Sequence, residues 1–262
     1  MKLNVFKTLS QAYMNMLASV WYSPDHRSAP RGQAVREILN HTFTVLYPTS
    51  QPIVTNDPER NKTIAEYMAK EHELYHSGSN NVADFAKASK FWNKLANPDG
   101  TVNSAYGYLI WHNKSHGNPL FENGKHEYQS THADYMRTPW DWTKQSLVQD
   151  KDTRQAILRF SLPEHAWVGN KDQVCTQHAS FMIRDDKLHM TVVMRANDGT
   201  KGLAYDAPFF ISLMEQMVEE LLPTYPALAV GHYTHIAHSM HLYERDEQVV
   251  LAMLGHDNQV QS

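Results

Sequence analysis

Two spacings of apolar residues organise this chain. Ala65 to His76 and Ala207 to Leu222 repeat apolar residues at helical intervals, the second through Phe210, Leu213, Met214, Met217 and Leu221. The latter is predicted to be a central buried helix. Met1 to Tyr22, whose apolar positions are interrupted by Ser, Gln and Asn, is predicted to be an amphipathic helix and not a signal peptide. Runs rich in β-branched and apolar residues predict strands at Arg36 to Leu46, Gln155 to Ser161, Thr176 to Ile183, Leu188 to Arg195 and Gly231 to Ile236. Asn97 to Lys125, rich in Gly, Asn, Pro and Asp, is predicted to form surface loops around the Tyr106 segment. Helices and strands so mixed give an α/β fold on a mixed sheet. With no repeat, low-complexity tract or linker, residues 1–262 read as one domain.

Composition narrows the function. The 262 residues, 42% of them hydrophobic, suffice for a substantial core. A net charge of -4, from 24 Lys plus Arg against 28 Asp plus Glu, argues against nucleic acid as a partner, so any phosphate must be held locally. No run is long enough to span a membrane. The single cysteine, Cys175, excludes an intramolecular disulfide framework and fits a reducing cytoplasm.

That cysteine starts one arm of a predicted hairpin whose turn is the polar Arg184-Asp185-Asp186-Lys187. If Arg184 faces Lys187, Cys175 faces Ala196, and a one-residue bulge brings Arg195 opposite instead. Either register sets a thiol beside a guanidinium. A free thiol with a pKa near ~8.5 is mostly protonated at neutral pH, and an adjacent fixed cation favours the nucleophilic thiolate. The pair predicts covalent catalysis; the plain alternative is a buried structural cysteine and an unrelated surface arginine. His232, His235, His238 and His241 recur every third residue, but a strand would scatter them over alternating faces, and Gly231 opposes a helix. No metal site is assigned.

Several separated motifs carry a resemblance. Cys175, Met194-Arg195-Ala-Asn-Asp198, the helix-opening Gly202-Leu-Ala-Tyr-Asp206-Ala-Pro, and His235-Ile-Ala-His-Ser-Met-His241-Leu-Tyr243 resemble, in order and spacing, the thymidylate synthase superfamily. Upstream, Glu71-His-Glu-Leu-Tyr75, Phe91-Trp92, Asn103-Ser-Ala-Tyr106-Gly107 and Asp152-Thr-Arg154 fall where that family keeps its glutamate, tryptophan, Tyr-Gly and Asp-Ser-Arg segments. The likeness runs from about residue 31 to residue 246. It implies a thymidylate synthase-like fold and a homodimer packed sheet against sheet.

Within the superfamily the chain looks like the phage deoxycytidylate hydroxymethylases. Thr176 follows the cysteine where synthases carry histidine, Asp206 replaces the asparagine that reads uracil, and the chain ends soon after Tyr243 without an evident closing segment. Asparagine offers a donor to uracil O4 and an acceptor to N3–H, whereas cytosine inverts that pattern. A carboxyl at Asp206 accepts from the 4-amino group and, when protonated, donates to N3. Its alternative is a helix N-cap just before Ala207-Pro208.

The resemblance implies that Cys175 adds to C6 of dCMP, that C5 then takes the one-carbon unit of 5,10-methylenetetrahydrofolate, and that water captures the exocyclic methylene. The products are 5-hydroxymethyl-dCMP and tetrahydrofolate. Glu71 would organise water and relay protons, or else be one acid among several on an amphipathic helix. Arg195, Arg154 and Arg31 would hold the phosphate, Arg154 from the neighbouring subunit although Gln155 stands where a second arginine is usual. His241 and Tyr243 would bond the 3′-hydroxyl, Tyr106 support the solvent network, and Trp92, Asp198 and Gly202 line the folate side. Ala196 replaces a serine that contacts the phosphate region, which leaves CMP open as substrate. A methyl-forming nucleotide synthase and a catalytically silent nucleotide-binding homologue are the other readings. A virus could use the product for DNA modification, and the cytoplasm would then be the host's.

Overall fold

The structure is a computed structural model that describes residues 4–113 and 138–256. Its strands and helices are β1 (Val5–Phe6), α1 (Leu9–Tyr22), β2 (His26–Ser28), β3 (Val35–Val45), α2 (Pro58–His76), α3 (Val82–Ala88), α4 (Tyr106–Trp111), α5 (Pro139–Gln149), β4 (Ile157–Arg159), β5 (Thr176–Arg184), β6 (Lys187–Met194), β7 (Asn197–Asp198), α6 (Leu203–Leu221), β8 (Ala229–Tyr243) and α7 (Glu247–Met253). They form the expected α/β arrangement. One mixed sheet runs β1-β3-β8-β6-β5-β4, with β2 on β3 and β7 on β8. Central β8 is antiparallel to β3 and parallel to β6.

Helices α1, α5 and α6 cover one face of the sheet. Along α6, Phe209, Phe210, Leu213, Met214, Met217 and Leu221 are fully buried, as the spacing predicts. The opposite face carries Thr42, Thr44, Thr191, Val193, Thr234 and Ile236, all half-buried, with Thr44 and Thr234 hydroxyls 3.0 Å apart.

Several boundaries differ from the sequence reading for local reasons. Helix α1 starts only at Leu9, because Thr8 is extended and its hydroxyl caps the Gln11 N–H while the Gln11 amide returns to Thr8. Val5–Phe6 instead pairs in parallel with β3. Helix α2 begins at Pro58, not Ala65, on an Asp57 cap that accepts the Arg60 N–H, and its polar opening turns conceal it from apolar periodicity. Strand β8 runs well past Ile236: buried positions are odd-numbered through Ala237 and even-numbered from Met240. The switch lies opposite Asn40 of β3, whose φ of 54° is left-handed. It leaves His241 and Tyr243 half-buried.

Within the stretch expected to form surface loops around it, the Tyr106 segment is a buried helix. Tyr106, Gly107, Leu109 and Ile110 are all buried, and a Cβ on Gly107 would lie 1.6 Å from the Tyr75 carbonyl oxygen. Glycine is what lets α4 meet the end of α2. Ser104 N–H and Oγ both donate to Asp172, at 2.7 and 2.5 Å, tying this segment to the approach to Cys175. Residues 114–125 of the expected loop lie outside the described residues.

Candidate active site

The hairpin supplies the nucleophile. Its turn is Asp185-Asp186, both left-handed, with Arg184 facing Lys187. A register shift between Thr176 and His178 is the bulge that sets Arg195 opposite Cys175, and the Arg195 N–H donates to the Cys175 carbonyl at 2.8 Å. The guanidinium donates to the Val174 and Gln173 carbonyls at 3.1 and 2.5 Å and to Cys175 Sγ at 3.4 Å. Among the described residues this leaves Nη1 for an anion. The expected thiol–guanidinium contact exists, but burial outweighs it: desolvation pushes the Cys175 thiol above its usual range while Arg195 pulls it down, and Asp206, Asp172 and Asp198 push it up further. The cysteine is thus held mainly as a thiol.

Two acids face it. Asp206 sits in the first turn of α6, which Gly202 caps, so the cap role falls away; the Asp206 N–H donates to Gly202 O at 2.9 Å. Burial raises its carboxyl to about 7, against a bond from Asn197 Nδ2 to Oδ2 at 2.9 Å. Glu71, on α2, rises to about 8, through burial and then the charge of Asp206. Tyr67 donates to Glu71 Oε1 at 3.2 Å and Tyr75 donates to the same carboxyl. Trp92 is buried, with its indole N–H given to the Tyr67 hydroxyl. Tyr106 and Thr176 hydroxyls lie 2.8 Å apart, and Tyr106 feels the charges of Asp206, Cys175 and Glu71. Folding thus gathers Cys175, Thr176, Asp206, Glu71, Tyr106 and, through Tyr67, Trp92.

On the other flank Asp198 pairs in register with His241, whose ring meets Tyr243 edge-on at 5.3 Å. Asp198 Oδ1 accepts the Thr200 N–H and hydroxyl, both at 2.8 Å, and Oδ2 has no partner among the described residues. Gly202 closes this turn. Tyr243 feels the charges of Asp198, Arg31 and Cys175, which sets the strand end and the Arg31 loop on the same side of the molecule as the nucleophile. Arg154 is exposed ahead of β4 and has no ion pair with a described residue. Of the expected site residues it is the one without a contact to this cluster.

Three contributors escaped the sequence reading. Tyr67 and Tyr75 flank Glu71 at i−4 and i+4, a spacing readable once the helix is known. Asn197 gave no signal, since its approach to Asp206 depends on the β7-to-α6 turn. The histidines of β8 separate as a strand requires: His235 is fully buried, stacked on Phe43 at 5.3 Å and bonded to Tyr233 at 2.8 Å, while His232 and His238 are exposed. No group of three or more His, Cys, Asp or Glu among the described residues is placed to hold a metal, and no helix among them is long and apolar enough to cross a membrane.

Comparison with known proteins agrees with this geometry. A deoxycytidylate 5-hydroxymethyltransferase of Enterobacteria phage T6 is 28% identical over 187 residues, 69% of this chain and 68% of that protein. The phage T4 protein of the same name is 29% identical over 60% of this chain and 57% of its own length. A deoxyuridylate hydroxymethyltransferase of Bacillus phage SP01 is 27% identical over 90% of this chain, which spans 57% of that protein. The solved thermostable thymidylate synthase A of Bacillus subtilis superposes with a TM-score of 0.64 at 16% identity, covering 94% of this chain and 84% of that one, a likeness of fold. Residues 11–261 match the family model described as thymidylate synthase, and with nearly the whole chain matched, the protein belongs to the thymidylate synthase family.

Proposed function

We propose that this one-carbon transferase is a dCMP 5-hydroxymethylase. The observation that carries the reading is Asp206: a half-buried carboxyl raised by desolvation to about 7, close to the nucleophile, holds its proton often enough to donate to cytosine N3 while accepting from the 4-amino group. The relatives' names divide between cytidylate and uridylate, and this acid favours the former. Ala196 at the turn beside Arg195 keeps CMP as a second substrate to test.

Nucleotide binding would set the phosphate on Arg195 and Arg31 and the sugar on His241 and Tyr243. Cys175 Sγ, passing its proton to solvent, bonds to C6, and the electron pair of the C5–C6 double bond shifts to make C5 nucleophilic. The residues present fit 5,10-methylenetetrahydrofolate: Trp92 offers an indole beside Tyr67, Asp198 Oδ2, without a partner among the described residues, is an acceptor for pterin N–H groups, and Gly202 leaves room for the tight turn after Asp198. That cosubstrate supplies one carbon at the oxidation level of formaldehyde. Glu71 positions water and moves protons, as an acid titrating near 8 can do at neutral pH, and Tyr106 with Thr176 orders the solvent beside it. Once C5 carries the one-carbon unit, loss of the C5 proton with expulsion of tetrahydrofolate would leave an exocyclic methylene, and water adding to that carbon as the Cys175–C6 bond breaks would restore the aromatic ring and release the thiol.

The half-exposed threonine-rich sheet face is read as the dimer surface, across which exposed Arg154, without an ion pair among the described residues, would complete the partner's phosphate site. The reading places the protein in a cytoplasm, with modified DNA as the product's destination. Purified protein supplied with dCMP, CMP or dUMP and methylenetetrahydrofolate provides the test. The expected product is the nucleotide heavier by a hydroxymethyl group, formed from dCMP and abolished in Cys175→Ala. A methyl product with dihydrofolate, or binding without turnover, overturns the proposal.

A further inference from the structure

Asp206 alone does not choose a base. A neutral carboxyl has one donor oxygen and one acceptor oxygen, and exchanging them turns a cytosine reader into a uracil reader: with the proton facing N3 it matches cytosine, with the proton facing the 4-substituent it matches uracil O4 and N3–H. Something must decide which oxygen carries the proton. Asn197 is placed to do so. It is 3% exposed, lies in β7 beside Met240 of β8, and gives Nδ2 to Asp206 Oδ2 at 2.9 Å. Its own Oδ1 is buried without a partner among the described residues, a costly arrangement that a purely structural amide avoids. A Cβ at Gly202 would lie 2.8 Å from that nitrogen, so glycine there makes room for the amide.

We propose that Asn197 is the positioning residue that fixes base specificity: by donating to Asp206 Oδ2 it makes that oxygen the acceptor for the cytosine 4-amino group and leaves the proton on Oδ1, facing N3. This rests on the cytidylate reading above. The other groups facing Asp206 are Asp198, Glu71 and Cys175 with the hydroxyls of Tyr75, Tyr106 and Tyr233, and Asn197 is the one whose bond distinguishes the two carboxyl oxygens.

Binding of dCMP and of dUMP, measured by calorimetry without folate, tests the assignment in the wild type, in Asn197→Ala and in the near-isosteric Asn197→Asp. The wild type should prefer dCMP. Asn197→Ala should lower the dCMP-to-dUMP preference by about tenfold, the worth of one such bond. Asn197→Asp, which offers an acceptor to Oδ2 and draws the proton there, should lower it further. Gly202→Ala, which displaces the amide by another route, should move the ratio in the same direction. A ratio within about twofold of the wild type's in every variant that keeps its melting transition, including one in which both affinities fall together, overturns the role. A wild type without preference for dCMP instead overturns the cytidylate reading on which it rests.

Discussion

Tyr67 and Glu71 lie one turn apart on α2, and the phenol donates to Glu71 Oε1 at 3.2 Å. Hydrogen bonds from Tyr67 and Tyr75 favour the ionised acid, while burial and the charge of Asp206 favour the neutral one and prevail, so Glu71 titrates near 8. Tyr67→Phe removes one donor and cuts the link to Trp92, so the Glu71 pKa should rise. The alkaline limb of the kcat–pH profile should move to higher pH, with the maximal rate down on the order of tenfold. A lower rate with an unmoved limb would mean that Tyr67 supports the fold and not the acid.

Cys175 yields a second prediction. Because burial holds the thiol above its ordinary range against the pull of Arg195, alkylation of the free protein by iodoacetamide should be slow at neutral pH, with a midpoint above that of a free thiol. Arg195→Gln removes the opposing cation and should raise the midpoint further. Rapid labelling at neutral pH would show that the sequence-based thiolate was right and that burial is relieved in solution.

Much of this site was legible because its parts are local. The turn at Asp185-Asp186 fixed the hairpin register to within one residue, and that residue was the bulge that brings Arg195 to Cys175. The buried stripe of α6 was equally plain. What escaped depends on tertiary packing. No period marks the switch of faces in β8, which needs Asn40 on the neighbouring strand, and the polar start of α2 carries no apolar signal. No helix was legible at the Tyr106 segment because the Gly and Asn content of its surroundings dominates, whereas Gly107 serves helix contact there.

That contact gives the third prediction. A methyl at Gly107 would meet the Tyr75 carbonyl at 1.6 Å, and backbone on both sides cannot yield as a side chain would. Gly107→Ala should therefore cost about 3 kcal/mol or more, seen as a lowered urea midpoint, and should displace Tyr106 from Thr176. A variant as stable as the wild type would place α4 farther from α2 than 1.6 Å allows.

The buried acids tie function to stability. Asp206 has a folded pKa of about 7 against about 4 when unfolded, so the folded state holds the proton more tightly. Its stabilising contribution is complete below the unfolded value and is lost as pH rises from about 4 to about 7. Above that range the protein folds around a desolvated charge whose one side-chain hydrogen bond among the described residues comes from Asn197. Asp206→Asn keeps an acceptor for Asn197 and removes the ionisation, so the variant should be more stable at about pH 8, by about 2–4 kcal/mol. The advantage should shrink toward zero near pH 4, where both side chains are neutral. Glu71 responds to the same charge, so Glu71→Gln should show a similar trend without adding in full. Urea unfolding of the wild type and Asp206→Asn between those limits decides the matter: the gap between the two curves should widen with pH. A gap independent of pH would mean that Asp206 is already ionised in the folded protein near neutrality, and the carboxyl would then lack the proton that cytosine N3 requires.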